Sequence, residues 1–157
     1  MNSRSEQDTA DDNSAPWPKW TEEIPLRTVD AAGIVRHVTM CLSDASTALI
    51  ALLDANSSVE FSGVDYLDCL TQARRHLERE GRLLCCQGAR PNVHPSGQLR
   101  QFTNGRHAYD RHSEPGSEGF ETVDIFAPAS PADVVNLDDQ RAAVMSFFNA
   151  RYPKGQI

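Results

Sequence analysis

The sequence has no apolar run of the length a bilayer crossing needs, and its opening residues, MNSRSEQDTADDNSAP, lack the charged-then-apolar order of a secretory signal. Both absences point to a cytoplasmic protein. Cysteine is sparse. The four present, Cys41, Cys69, Cys85 and Cys86, lie inside apolar-patterned segments, so buried free thiols are expected and disulfides are not. No internal repeat is visible, which excludes solenoid and propeller arrangements.

Positive charge is the other shortage. Fifteen Lys and Arg stand against 22 Asp and Glu, a formal net charge of -7. Nucleic acids and anionic membranes select a basic face, so both are excluded as expected partners, whereas a basic partner is allowed. The shortage is also local. From Gly81 to Tyr109 there is no Asp or Glu, and from Ser113 to Gln140 there is no Lys or Arg. The second stretch holds Glu114, Glu118, Glu121, Asp124, Asp133, Asp138 and Asp139.

At 157 residues the chain suits one domain with an ordinary core. Residues 1–15 carry no large apolar side chain after Met1 and are expected to be a disordered acidic tail, with a single domain over 16–157. Order is expected to begin at PWPKW, where Trp17 and Trp20 first offer surface to a core. EIPLRTVD and GIVRHVTMCL alternate as strands around an Asp30 to Gly33 turn, a hairpin pattern. The apolar run Ala48 to Leu53 reads as a buried strand ended by the polar turn DANSS, and VEF either adds a strand or leads into a helix.

A helix over about 62–80 follows. Ser62 is its expected N-cap, with Asp65 three residues on and Phe61 and Tyr66 as a hydrophobic staple. Val64, Leu67, Leu70, Ala73 and Leu77 make its apolar stripe, and Gly81 takes the left-handed position past its end. RLLCCQ reads as a short strand and SGQLRQFTNG as a turn or two of helix. RHAYD and ETVDIFA read as a strand pair joined by RHSEPGSEG. A last helix over about 138–152 presents Ala143, Val144, Phe147, Phe148 and Arg151 on one face, with Asp138 and Asp139 at its positive end. The order of elements predicts an α+β domain whose mainly antiparallel sheet packs with these two main helices.

Cys85 to Tyr109, CCQGARPNVHPSGQLRQFTNGRHAY, concentrates thiols, imidazoles, glycines and arginines without a carboxylate. Zinc needs ligand pairs that converge, but Cys85 and Cys86 are adjacent and would face opposite sides of a strand. His37 and Cys41 have no second pair to answer them. No metal and no other cofactor is expected. Cys86, His107 and Asp110 can be drawn as a nucleophile, base and orienter, and a small enzyme using this loop, with a Cys or His as its reactive group, is the alternative function. Arg90, Arg100 and Arg106 can be drawn around a phosphate, yet Pro91 and Pro95 remove amide donors where a cradle needs them. The expected role of the stretch is an ordered connection whose arginines neutralise the neighbouring acidic segment.

The layout LEREGRLLCCQGARPNVHPSGQLRQFTNGRHAY followed by VDIFAPASPADVV resembles small bacterial proteins encoded beside polymorphic toxins, of the contact-dependent growth inhibition immunity type. The resemblance covers roughly Leu77 to Gln140. It implies a non-enzymatic inhibitor that binds a cognate toxin domain, often a nuclease, and occludes its active site; the class shares a role and no common residue set. The residues expected to make that contact are the carboxylates Glu114, Glu118, Glu121, Asp124 and Asp133, with Tyr109 and Phe120 as aromatic anchors.

Overall fold

A computed structural model describes residues 20–44, 47–112, 116 and 119–151. The expected tail over 1–15, Trp17, and the candidate contact residues Glu114 and Glu118 lie outside the described residues.

The first four strands form a meander. β1 (Glu22–Asp30) and β2 (Val35–Ser43) make the expected hairpin. Its turn is built locally: the Asp30 carboxylate accepts from the backbone N–H groups of Ala32 and Ile34, and Gly33 takes φ +83, where a side chain would be strained. β3 (Ala48–Asp54) pairs with β2, and β4 (Ser57–Gly63) pairs with β3. β5 (Arg82–Leu84) returns to the other side of β1, giving a curled five-stranded antiparallel sheet in the order β4-β3-β2-β1-β5. Met40, Leu42, Ile50, Leu52 and Leu26 from this sheet are at most 2% exposed and form one wall of the core.

Helix α1 (Tyr66–Glu78) supplies the opposite wall through Cys69, Leu70, Ala73 and Leu77. Fully burying an aliphatic side chain contributes roughly 1.5–3 kcal/mol, so this stripe anchors the helix to the sheet. The helix begins later than its sequence pattern predicts. Ser62 and Gly63 belong to β4, and the N-cap is Asp65, whose carboxylate accepts from the N–H of Asp68 at 2.9 Å. Asp68 in turn accepts from the N–H of Val64. Extending the β3–β4 ladder to Gly63 leaves Val64 outside both elements and 83% exposed, so it is not part of the buried stripe. Past the C-terminus, Gly81 adopts the expected left-handed conformation at φ +76.

A second, three-stranded sheet in the order β6-β7-β8 consists of β6 (Val93–His94), β7 (His107–Asp110) and β8 (Thr122–Asp124). A short helix α2 (Gly97–Phe102), capped by Ser96, connects β6 to β7. Two 3-10 turns, Gln87–Ala89 and Pro131–Asp133, flank this sheet in the chain. Ile125 and Phe126, just past β8, enter the common core with Cys86, Ala89 and Ala108, so both sheets share one interior. The result is one α+β domain.

The last helix, α3 (Leu137–Arg151), differs in how it is held. None of its residues is fully buried. Asn136 accepts from the N–H of Asp139 at its start, and the Glu78 carboxylate of α1 accepts from the N–H of Leu137. Asp138 and Asp139 occupy the first turn, where the helix dipole favours negative charge. Among the described residues no helix is long and apolar enough to cross a membrane.

Candidate functional site

The basic stretch folds as a set of internal ion pairs. Arg90 bonds the Asp110 carboxylate at 3.1 Å and the Gln87 side chain at 2.7 Å. Arg100 reaches back to Asp65, with Nε 2.6 Å from Oδ2. Arg106 bonds both Asp124 and Glu22. The three guanidinium groups drawn around a phosphate therefore go to three separate carboxylate sites, and the structure does not bring them together as a cradle. Of the carboxylates these arginines engage, only Asp124 belongs to the neighbouring acidic segment; Glu22, Asp65 and Asp110 lie elsewhere in the chain, so the expected neutralisation of that segment occurs at one position.

The nucleophile constellation is also dispersed. All four cysteines are free and buried. Burial pushes the Cys86 thiol up to about 12 and the Cys69 thiol up to about 11, so neither forms a thiolate near neutrality. His107 and Asp110 are three residues apart on β7 and therefore face opposite sides of the small sheet. Asp110 already accepts from Arg90 and from the N–H of His112. Among the described residues no three His, Cys, Asp or Glu side chains converge as a metal site; His37 and Cys41 sit on β2 at an exposed and a buried position.

The expected contact residues part company. Asp124 does not stand free. Burial opposes its ionisation, but the Arg106 guanidinium and the Phe126 N–H outweigh it and hold the carboxyl below its usual range. Tyr109 and Phe120 are half-buried, each with the Arg111 guanidinium stacked over its ring, at 5.2 and 5.7 Å from the centroid. The same guanidinium lies 5.4 and 5.2 Å from the rings of Phe147 and Phe148 on α3. These two aromatic residues thus staple α3 to the small sheet, and Arg111 is the centre of the staple. Sequence reasoning placed the α3 aromatics on one face but had no signal for Arg111 between them.

Glu121 and Asp133 are exposed, as are Asp138 and Asp139. Asp138 also borders a cleft of about 360 Å³ with Asp30 and Glu78. Three elements meet there: Asp30 ends β1, Glu78 ends α1 and Asp138 opens α3. The cation described in its wall, Arg82, is 4% exposed and already bonded to Asp54, Glu80 and Thr28, and Glu78 is paired with the buried Arg74 at 3.9 Å, so Asp30 and Asp138 carry the charge of the mouth. Asp30 and Glu78 were read as a turn residue and a helix residue, and only the packing of α3 against α1 sets them beside Asp138. No protein-family model matches the sequence, and no curated protein matches it.

Proposed function

We propose that the protein is a non-catalytic inhibitor that binds and neutralises a basic toxin domain, the role of a polymorphic-toxin immunity protein. The observation that carries the reading is the acidic cleft formed by Asp30, Glu78 and Asp138, continued by the exposed Asp139. Lys or Arg side chains from a nuclease-type active site fit such a mouth, since complementary charge steers association and raises the on-rate. The internal pairs of Arg82, Arg90, Arg100 and Arg106 consume carboxylates together with the cations, so the net charge of -7 is carried by acidic groups outside them, Asp138 and Asp139 among them.

The test is co-expression with the product of the adjacent gene, which this reading expects to carry a toxin domain. The wild-type chain rescues growth and co-purifies with that domain. A combined D30N, D138N and D139N variant associates roughly tenfold more slowly at low salt, with the difference shrinking as salt rises. Absence of rescue by the wild-type chain, or an association rate indifferent to all three substitutions, rejects the proposal for this face.

A further inference from the structure

A second concavity lies under α3, and its chemistry is opposite to that of the acidic cleft. It measures about 380 Å³, and its walls are Leu67 and Leu70 of α1, Val93 of β6, Ala108 of β7 and Val144 and Met145 of α3. The size falls at the lower end of the range for small-molecule sites, enough for one aromatic ring or a medium alkyl chain. Among the described residues no Asp or Glu lines it, although the chain carries a net charge of -7, and the charged side chains that do are Arg74 and Arg141.

Arg74 is the unusual member. It is 3% exposed, and it donates to the carbonyl oxygens of Gly88 and Val135 at 3.1 and 2.9 Å and to the Gln140 side chain. Those acceptors are neutral. Its ion pair with Glu78 spans 3.9 Å, and that carboxylate is already accepting from the N–H of Leu137. Arg82, Arg90, Arg100 and Arg106 each hydrogen-bond a carboxylate directly. A buried cation without such a partner leaves a positive potential in its cavity, because a low-dielectric wall screens it poorly. Burial accordingly lowers the Arg74 pKa, although a guanidinium stays charged at any working pH.

Two further groups complete the site. Arg141 is exposed and borders the same cavity from α3. His94 stands edge-on to Phe148 at 6.4 Å, and its pKa is lowered by burial and then by Arg111 and Arg100, so it offers a neutral imidazole to a ligand's polar end.

We infer that this cavity binds a small apolar monocarboxylate, its hydrocarbon part against the Leu67, Leu70, Val93 and Val144 wall and its carboxylate toward Arg141 and the field of Arg74. The inference is independent of the toxin-binding reading, and the two concavities share no lining residue among those described.

The full chain, methyl-labelled for NMR, is titrated with octanoate, with 1-octanol as the neutral arm and octylamine as the cationic one. Octanoate should shift the methyls of Leu67, Leu70, Val93 and Val144 saturably and bind roughly tenfold tighter than octanol, with octylamine weakest. Arg141→Gln should bring octanoate close to octanol. Val144→Trp, made at a half-buried helix position that leaves the core intact, should abolish the shifts while circular dichroism reports a folded chain. Absence of saturable shifts in the wild-type chain, equal affinity for octanoate and octanol, or a response confined to methyls outside the cavity overturns the inference. The wild-type map decides the matter even if Val144→Trp fails to fold.

Discussion

Arg106 and Asp124 meet fork to fork, with Nε 2.8 Å from Oδ1 and Nη2 2.8 Å from Oδ2. The other side of the same guanidinium bonds both oxygens of Glu22, each at 2.9 Å. Glu22 begins β1 of the large sheet, whereas Asp124 ends β8 of the small one. One side chain therefore ties the two sheets together, and its stacking over Phe126 fixes it against the shared core. Replacing Arg106 with Ala leaves the half-buried Asp124 without its partner and should cost about 2 kcal/mol. Glu22→Gln should cost less than half as much, because Glu22 is nearly half exposed and solvent screens it. Urea midpoints of the two variants check the ordering, and equal losses would contradict it.

The Arg111 staple should control α3 separately from the rest of the fold. Arg111 stacks on Phe147 and Phe148, and Arg151 stacks on Phe120 and Phe147. A stacked cation of this kind contributes on the order of 0.5–2 kcal/mol. Arg111→Ala should speed amide exchange through Leu137 to Arg151 while leaving the protection of Leu70, Ala73 and Leu77 in α1 unchanged. Hydrogen exchange read by mass spectrometry checks this, and uniform loss of protection would show that α3 and the core unfold as one unit.

Stability should fall away at both ends of the pH scale, for opposite reasons. At the acid end, Glu22 and Asp54 are held below their ordinary pKa values by hydrogen bonds from Arg106 and Arg82; at Asp65 and Asp124, bonds from Arg100 and Arg106 outweigh burial. A depressed folded-state pKa contributes stability that is complete above the unfolded value of about 4 and is lost as pH falls through the folded value. At the alkaline end, Cys86 is raised by burial from 9.0 to about 12, so its contribution is complete below pH 9.0 and is lost between there and about 12. Urea midpoints measured across the range should show a plateau in between. Cys86→Ala should flatten part of the alkaline limb, and an unchanged limb would assign the loss to other groups.

Much of the fold was legible in the local pattern. The Asp30 to Gly33 turn and the alternation of β1 and β2 are set by residues within a few positions of one another. So is the stripe Leu67, Leu70, Ala73 and Leu77, whose members are three or four residues apart. The start of α1 was misplaced because two capping arrangements compete there. Ser62 and Asp65 are both good acceptors, and the β3–β4 ladder, which local spacing does not report, claims Ser62 for a strand.

The site was less legible. Charge segregation pointed to exposed carboxylates between Ser113 and Gln140, and Glu121, Asp133, Asp138 and Asp139 are exposed. Asp124 reads the same way in sequence, yet it is bound by a guanidinium. Tyr109 and Phe120 read as aromatic anchors for a partner, and in the fold each packs against the Arg111 guanidinium. Nothing in the identity of these residues distinguishes the free from the engaged.

Near neighbours along the chain fix strand and helix periodicity, the turn chemistry and the burial of four thiols in apolar segments, and composition fixes the sign of the net charge. Tertiary structure decided which charges cancel. Arg106 finds Glu22 across 84 residues, and Arg100 finds Asp65 across 35. Electrostatic attraction acts through space, and no sequence spacing encodes the distance between groups so far apart along the chain. The acidic cleft and the cationic cavity therefore exist only once α3 has packed across α1.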